Sequence, residues 1–174
     1  MNRLVPEVEA LLFAVAGPVT AKALATSLEN ATPAEVAKAL DLLRARCARS
    51  DRGLELVEVA GGWQLRTDPR FATSVLSLLG GTPAKLSRAA LEVLAVVAYR
   101  QPVTRAEIEA LRGVNSGGVV RGLLERGMVR VAGRRDDPGR PLEYATTRHF
   151  LEVFSLPDLG ALPSLKERED LEEG

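Results

Sequence analysis

Apolar residues recur at three-to-four-residue spacing from Val5 to Val15, which predicts an amphipathic helix that Pro18 ends. Thr20 is placed to cap a second helix ending near Leu28. The run Thr32-Pro33-Ala34-Glu35 then joins a Thr cap, a proline at the first helical position and a Glu three residues after the cap, a capping box that opens a third helix. On that helix Val36, Leu40, Leu43 and Cys47 share one face, the core face. The period next shortens to two. GLELVEVAGGWQLRTD predicts two strands around Gly61-Gly62, a pair that tolerates the positive φ angles of a tight hairpin. Residues 69–80 return to helical spacing, and GGTPAKLS over 80–87 reads as a linker.

The order then repeats. Pro-Val-Thr occurs at 18–20 and at 102–104, an offset of 102 − 18 = 84, and at the same offset Ala14 meets Ala98, Leu24 meets Ile108, Val36 meets Val120 and Leu40 meets Leu124. Ser87 is placed to cap a helix over Arg88–Arg100. Thr104 to Glu107 forms another capping box for a helix that Gly113 stops near Arg112. Asn115 or Ser116 caps the next, with Val119, Val120, Leu123 and Leu124 facing inward. Val129, Val131, Leu142 and Tyr144 alternate as half-buried strands of a hairpin with a charged Asp-Pro-Gly turn, and His149 to Phe154 forms a short helix. Three helices and a hairpin make a winged helix. The fold class is therefore mainly α with small β wings (α+β), as two tandem winged-helix domains over 1–80 and 81–155, followed by an acidic, flexible tail over 156–174.

Composition narrows the function. At 46% hydrophobic and net charge +0, the chain is globular and has no overall field drawing it to nucleic acid or membrane. The balance is uneven along the chain: 9 basic against 9 acidic residues in 1–80, 10 against 6 in 100–148, and 2 against 7 in 149–174. One cysteine and one histidine leave no internal disulfide and no imidazole pair for a metal, which fits a reducing cytoplasm. The apolar runs are too short for a secretory signal or a membrane span.

No catalytic constellation, cofactor motif or metal site emerges, so the chain reads as a non-enzyme. The Gly-Gly pairs lack the Gly-Lys-Ser/Thr ending of a P-loop. Cys47 on the core face is a structural thiol, and His149 has no carboxylate and hydroxyl at motif spacing. A winged-helix transcription regulator is the competing reading, and Arg130, Arg134, Arg135 and Arg140 would suit phosphates. Base readout, however, needs long polar side chains at the start of the reading helix, and here Gly117 and Gly118 follow Asn115 and Ser116. Weak, salt-sensitive contact with DNA through the second wing stays open. Tyr99-Arg100-Gln101-Pro102 and the wing's Arg140-Pro141 instead combine the residue types enriched at protein interfaces. Trp63, beside the first hairpin turn, suits core packing and a subunit contact equally.

The motifs AYRQPVTRAEIE (98–109), RGVNS (112–116), LLERG (123–127), PGRP (138–141) and the Thr146-Thr147 pair followed by Phe150-Leu151 closely resemble the bacterial segregation and condensation protein B family, as does the opening EALLFAVAGPVT. The resemblance implies two winged-helix domains, a homodimer formed chiefly through the first, and binding to the kleisin subunit, segregation and condensation protein A. The kleisin bridges a structural-maintenance-of-chromosomes (SMC) ATPase, in a complex that condenses and segregates chromosomes at the nucleoid. On this reading Tyr99, Arg100, Gln101, Pro102, Arg112, Asn115, Arg140 and Pro141 line or support the kleisin surface, and Trp63 belongs to the dimer contact. Gly117 and Ala145 depart from the residues usual in the family.

Overall fold

The structure, a computed structural model, describes residues 3–80 and 85–164. The chain divides into two compact units, Met1–Thr82 with Ser155–Gly174, and Pro83–Phe154. Part of the expected linker, 81–84, and the end of the acidic tail, 165–174, lie outside the described residues.

The first unit contains α1 (Leu4–Ala14), α2 (Ala21–Ser27), α3 (Pro33–Cys47), the hairpin β1 (Leu54–Val59) and β2 (Gly62–Thr67), and α4 (Ala72–Leu79) after a single 3-10 turn at Pro69–Phe71. The capping box of α3 forms: Glu35 N–H donates to Thr32 Oγ1 (3.3 Å) and Thr32 N–H donates to the Glu35 carboxylate (2.9 Å). Its apolar face, Val36, Leu40, Leu43 and Cys47, buries against Val5, Val8 and Leu12 of α1 and Leu24 of α2.

The hairpin corrects one expectation. The two turn residues are Ala60 and Gly61, at φ +50° and +70°, a two-residue turn of the primed kind that matches strand twist. Gly62 lies inside β2, where the backbone of Val19 passes: Val19 N–H donates to Trp63 O (2.9 Å) and Trp63 N–H to Val19 O (2.8 Å). A Cβ on Gly62 would sit 2.9 Å from the Val19 carbonyl carbon, so glycine is required for close approach rather than for φ.

The tail expectation is corrected as well. Residues 155–164 belong with the first unit, and the chain folds onto the hairpin turn, where Ala60 N–H donates to Leu156 O and Gly61 N–H to Pro157 O, both at 2.8 Å. Arg66 adds a hydrogen bond to Ser155 Oγ (2.7 Å). The outward amides of a two-residue turn have no partner in the hairpin, and these carbonyls satisfy them.

The second unit contains α5 (Arg88–Arg100), β3 (Val103–Thr104), α6 (Arg105–Arg112), α7 (Gly117–Glu125), β4 (Val129–Arg134), β5 (Leu142–Thr146) and α8 (Arg148–Val153), with strand order β3-β5-β4. Ser87 caps α5, and Thr104 with Glu107 boxes the start of α6. Val93, Leu94 and Val97 of α5, Ile108 of α6, and Val120 and Leu123 of α7 are fully or nearly fully buried. Val103 pairs with Tyr144 as Val19 pairs with Trp63, and 19 + 84 = 103, so the sequence repeat extends to Val103, while strand pairing sets Tyr144 in the place of Trp63 at the shorter offset of 144 − 63 = 81.

One local expectation, the Asn115 or Ser116 cap, narrows to Asn115, and one changes. Ser116 stands at the N-cap of α7 but its hydroxyl caps nothing; it accepts from Arg112 (2.9 Å) and donates to Val114 O (3.2 Å), while Asn115 Oδ1 accepts from Gly117 N–H (3.1 Å). Val131, expected half-buried, is 45% exposed, because β4 is an outer strand with a bulge between Val131 and Gly133. No helix among the described residues is long and apolar enough to cross a membrane.

Candidate protein-interaction surface

The second unit places the expected site residues in three groups. At the end of α5, Arg100 and Pro102 are exposed and Tyr99 is half-buried. Gln101, between them, turns inward: its amide nitrogen donates to Ala98 O (3.1 Å) and its oxygen accepts from Thr146 N–H (2.8 Å) and Thr146 Oγ1 (3.0 Å). Gln101 thus ties the turn to β5, and the cis peptide joining it to Pro102 carries the chain into β3.

At the α6–α7 corner, Arg112 donates to Glu92 (3.0 Å) and to Ser116 Oγ, with only 11% of its side chain exposed. Glu92 also accepts from Arg88 (3.1 Å), and the two guanidinium groups, Arg112 first, hold its carboxyl below the usual range. Glu109 accepts from Ser116 N–H (3.0 Å). Arg112 therefore holds the corner in place, and Asn115 is the exposed member of this group.

On the wing, Arg140 is exposed with φ +43°, its N–H donating to Asp137 O (2.8 Å) and its carbonyl accepting from Arg134 (3.1 Å). Pro141 lines a shallow hollow of about 280 Å³ together with Arg105, Ala106, Glu109, Leu142 and Tyr144. The residue that joins wing to turn is Arg135, which the sequence offers to phosphates only under the competing DNA-binding reading. Its guanidinium donates to Glu107 (2.7 Å), to Glu143 (2.8 Å) and to Pro102 O (3.4 Å), while its N–H donates to Pro141 O (2.9 Å). The sequence does not single out Glu143, and it marks Glu107 only as the capping-box partner of Thr104, so their part in the site is missed. Nothing local marks these partners, since Glu107 and Arg135 are 28 positions apart and meet only when the wing folds over α6.

Glu107 is held at about 2, first by the Arg135 hydrogen bond and then by the Thr104 backbone and hydroxyl. Because its folded value lies below the ordinary 4.5, the stabilisation is complete above about pH 4.5 and is lost as pH falls through about 2. Arg135→Ala should lower the unfolding midpoint of the second unit near neutral pH by several degrees. The variant should also lose less additional stability than the parent over that acid window, which melts across the window would reveal; parallel profiles would contradict the role given to Arg135.

In the first unit, Trp63 is half-buried against the core, and the Arg44 guanidinium lies over its ring at 4.5 Å. The exposed apolar surface of that unit lies elsewhere, at the end of α1, where Phe13 is 80% exposed, and on α4. On α4 Leu78 is 88% and Leu79 is 72% exposed, and no residue of the helix is buried. Cys47 is buried, and burial, with Glu9 nearby, pushes its thiol up. No group of three or more potential metal ligands occurs among the described residues.

Comparison with known proteins places this architecture. The family described as "Segregation and condensation complex subunit ScpB" matches residues 6–165. Segregation and condensation protein B of Syntrophotalea carbinolica is 54% identical over 164 residues, covering 94% of this chain and 83% of that one. The Myxococcus xanthus protein of the same name is 44% identical over 98% of this chain and 51% of its own length. Among solved structures, ScpB from Mycobacterium tuberculosis is 43% identical, covering 90% of this chain and 98% of that chain at a TM-score of 0.42. A structure described as a dimer of ScpB N-terminal domain complexed with ScpA peptide is 32% identical over 42% of this chain and 91% of its own, at a TM-score of 0.41. The chain belongs to the segregation and condensation protein B family, the non-catalytic subunits of the segregation and condensation complex.

Proposed function

We propose that this chain grips an extended segment of a kleisin, segregation and condensation protein A, and through it serves an SMC ATPase in the cytoplasm, at the nucleoid. The observation that carries the placement is the frame formed by Arg135 and Gln101. These two side chains fasten the α5–β3 turn to the wing and to β5, Arg100, Pro102 and Arg140 stay exposed on those segments, and Pro141 lines a partly apolar hollow. Preorganised backbone with exposed arginines suits recognition of a peptide, whose ordering dominates the cost of binding.

The test is affinity for purified kleisin. Arg100→Ala with Arg140→Ala in the full chain should weaken binding by at least about tenfold, the scale of interface arginines, without changing the fold, since both side chains are exposed. Unchanged affinity would remove the second unit's surface from the site. The solved relative described above is an N-terminal-domain dimer with its ScpA peptide, so the measurement uses both units together.

The homodimer belongs to the same reading, with the first unit as its seat. The stretch from Phe71 to Gly80 carries no ionisable residue, so two copies can approach across a two-fold axis without like-charge repulsion. Trp63 is engaged with Arg44 and the core, which favours α4 over the hairpin as the contact.

A further inference from the structure

A second hollow of the second unit takes no part in the surface described above. It measures about 230 Å³ and lies between the start of α5 and α7, lined by Ala90, Val119, Gly122 and Leu123 together with Lys85 and Arg126. Among the described residues no carboxylate lines it, and both cations are exposed without a carboxylate partner. Glu125, next to Arg126 in the chain, is bonded to Arg121 instead (3.0 Å). Gly122 is the unusual part of the floor. It stands inside α7, where glycine weakens a helix relative to alanine, and an added Cβ would meet nothing within 4 Å. Its φ is helical, so neither backbone conformation nor crowding within the unit requires glycine there. The bare backbone leaves the hollow open to close approach by another group.

We propose that this hollow receives the acidic end of the chain, residues 165–174, with Leu171 seated over Gly122 and the acids beside it facing Lys85 and Arg126. That segment reads LKEREDLEEG and holds five acidic residues against two basic ones. Leu171 follows Glu169 and Asp170 and precedes Glu172 and Glu173, so it is an apolar anchor set among acids. The hollow is the complement, an apolar floor with two unpaired cations. Leu165, the other leucine of the segment, has Lys166 beside it and suits a positive rim less well. The size agrees too, since about 230 Å³ falls below the roughly 300 Å³ at which small-molecule pockets begin, and a single anchoring side chain fits it better than a cofactor. Burial of the leucine supplies the attraction, while the exposed charges, which contribute little by themselves, select an acidic segment. The inference is independent of the kleisin surface, because this hollow shares no lining residue with the one at Pro141.

The experiment uses a zero-length carbodiimide, which joins a lysine amine to a carboxylate, on the full chain. Outside the acidic end the chain has three lysines, Lys22, Lys38 and Lys85, and all three are exposed. Peptide mapping should find the acids around Leu171 coupled to Lys85 at least about fivefold more often than to Lys22 or Lys38, because a docked segment is held at a raised effective concentration. Arg126→Glu reverses an exposed charge at the hollow, and Leu171→Ser removes the anchor while keeping every tail charge. Each should bring the coupling ratio close to that of the two reference lysines. Equal coupling to all three lysines in the parent overturns the proposal, and so does a preference for Lys85 that survives Leu171→Ser, which would be charge attraction without docking. Coupling of Lys85 to added purified kleisin in place of the tail would give the hollow to that partner and overturn it likewise.

Discussion

Leu78→Glu with Leu79→Glu should convert the proposed dimer into a monomer, raising its dissociation constant by at least about 100-fold, the product of two central apolar anchors lost on each copy. The physical reason is the state of α4 within its own unit. An eight-residue helix of sequence ATSVLSLL normally buries an apolar stripe, yet none of its residues is buried. Such an uncovered, uncharged helix is the signature of an interface core, where charged residues are depleted. Glutamate there must be desolvated beside its symmetry mate, so repulsion adds to lost burial. Sedimentation of the full chain separates the outcomes. A parent that is monomeric at micromolar concentration removes the dimer reading altogether, and a dimer indifferent to both glutamates keeps the dimer but moves its contact off α4.

The second large effect is expected at Gly62. Gly62→Ala should destabilise the first unit by about 1–3 kcal/mol, the usual cost of forcing an extra methyl group into a well-packed site. The added Cβ would meet the Val19 nitrogen, carbonyl carbon and oxygen at 2.9–3.0 Å, and these are backbone atoms that no rotamer change can move aside. Relief requires opening the Val19–Trp63 bridge, which loses two hydrogen bonds. Trp63, the sole tryptophan, lies at the bridge, so its fluorescence in a urea titration reports the unit directly. Gly17→Ala is the control: it has nothing within 4 Å and no left-handed φ. Equal midpoints for the two variants would show that β2 yields easily to Val19.

Much of the fold was legible because its signals are local. The capping boxes at Thr32–Glu35 and Thr104–Glu107 and the Ser87 cap form as read, and they work within one turn of helix. Val36, Leu40, Leu43 and Cys47 share a buried face because their spacing alone puts them there. The 84-residue echo is a comparison of the chain with itself, and it held as far as Val103.

What could not be read depends on partners far apart in the chain. Gly61 and Gly62 look identical in sequence, but one answers a positive φ and the other the passage of Val19, more than forty positions earlier. Ser116 resembles a cap until Arg112 and Val114 engage its hydroxyl. Leu156 and Pro157 belonged to an acidic tail until the amides of Ala60 and Gly61 bound their carbonyls. Of the interaction surface, the sequence by itself determined which residue types stand at the α5 turn and on the wing, and which family carries them. Tertiary structure alone decided which of those arginines is a strut and which is exposed: Arg135 meets Glu107 and Glu143, whereas Arg100 and Arg140 stand in solvent. The reason is that a cap or an amphipathic stripe is satisfied by neighbours a turn away, while the partner of a long charged side chain is set by which distant segments the fold brings within about 3 Å.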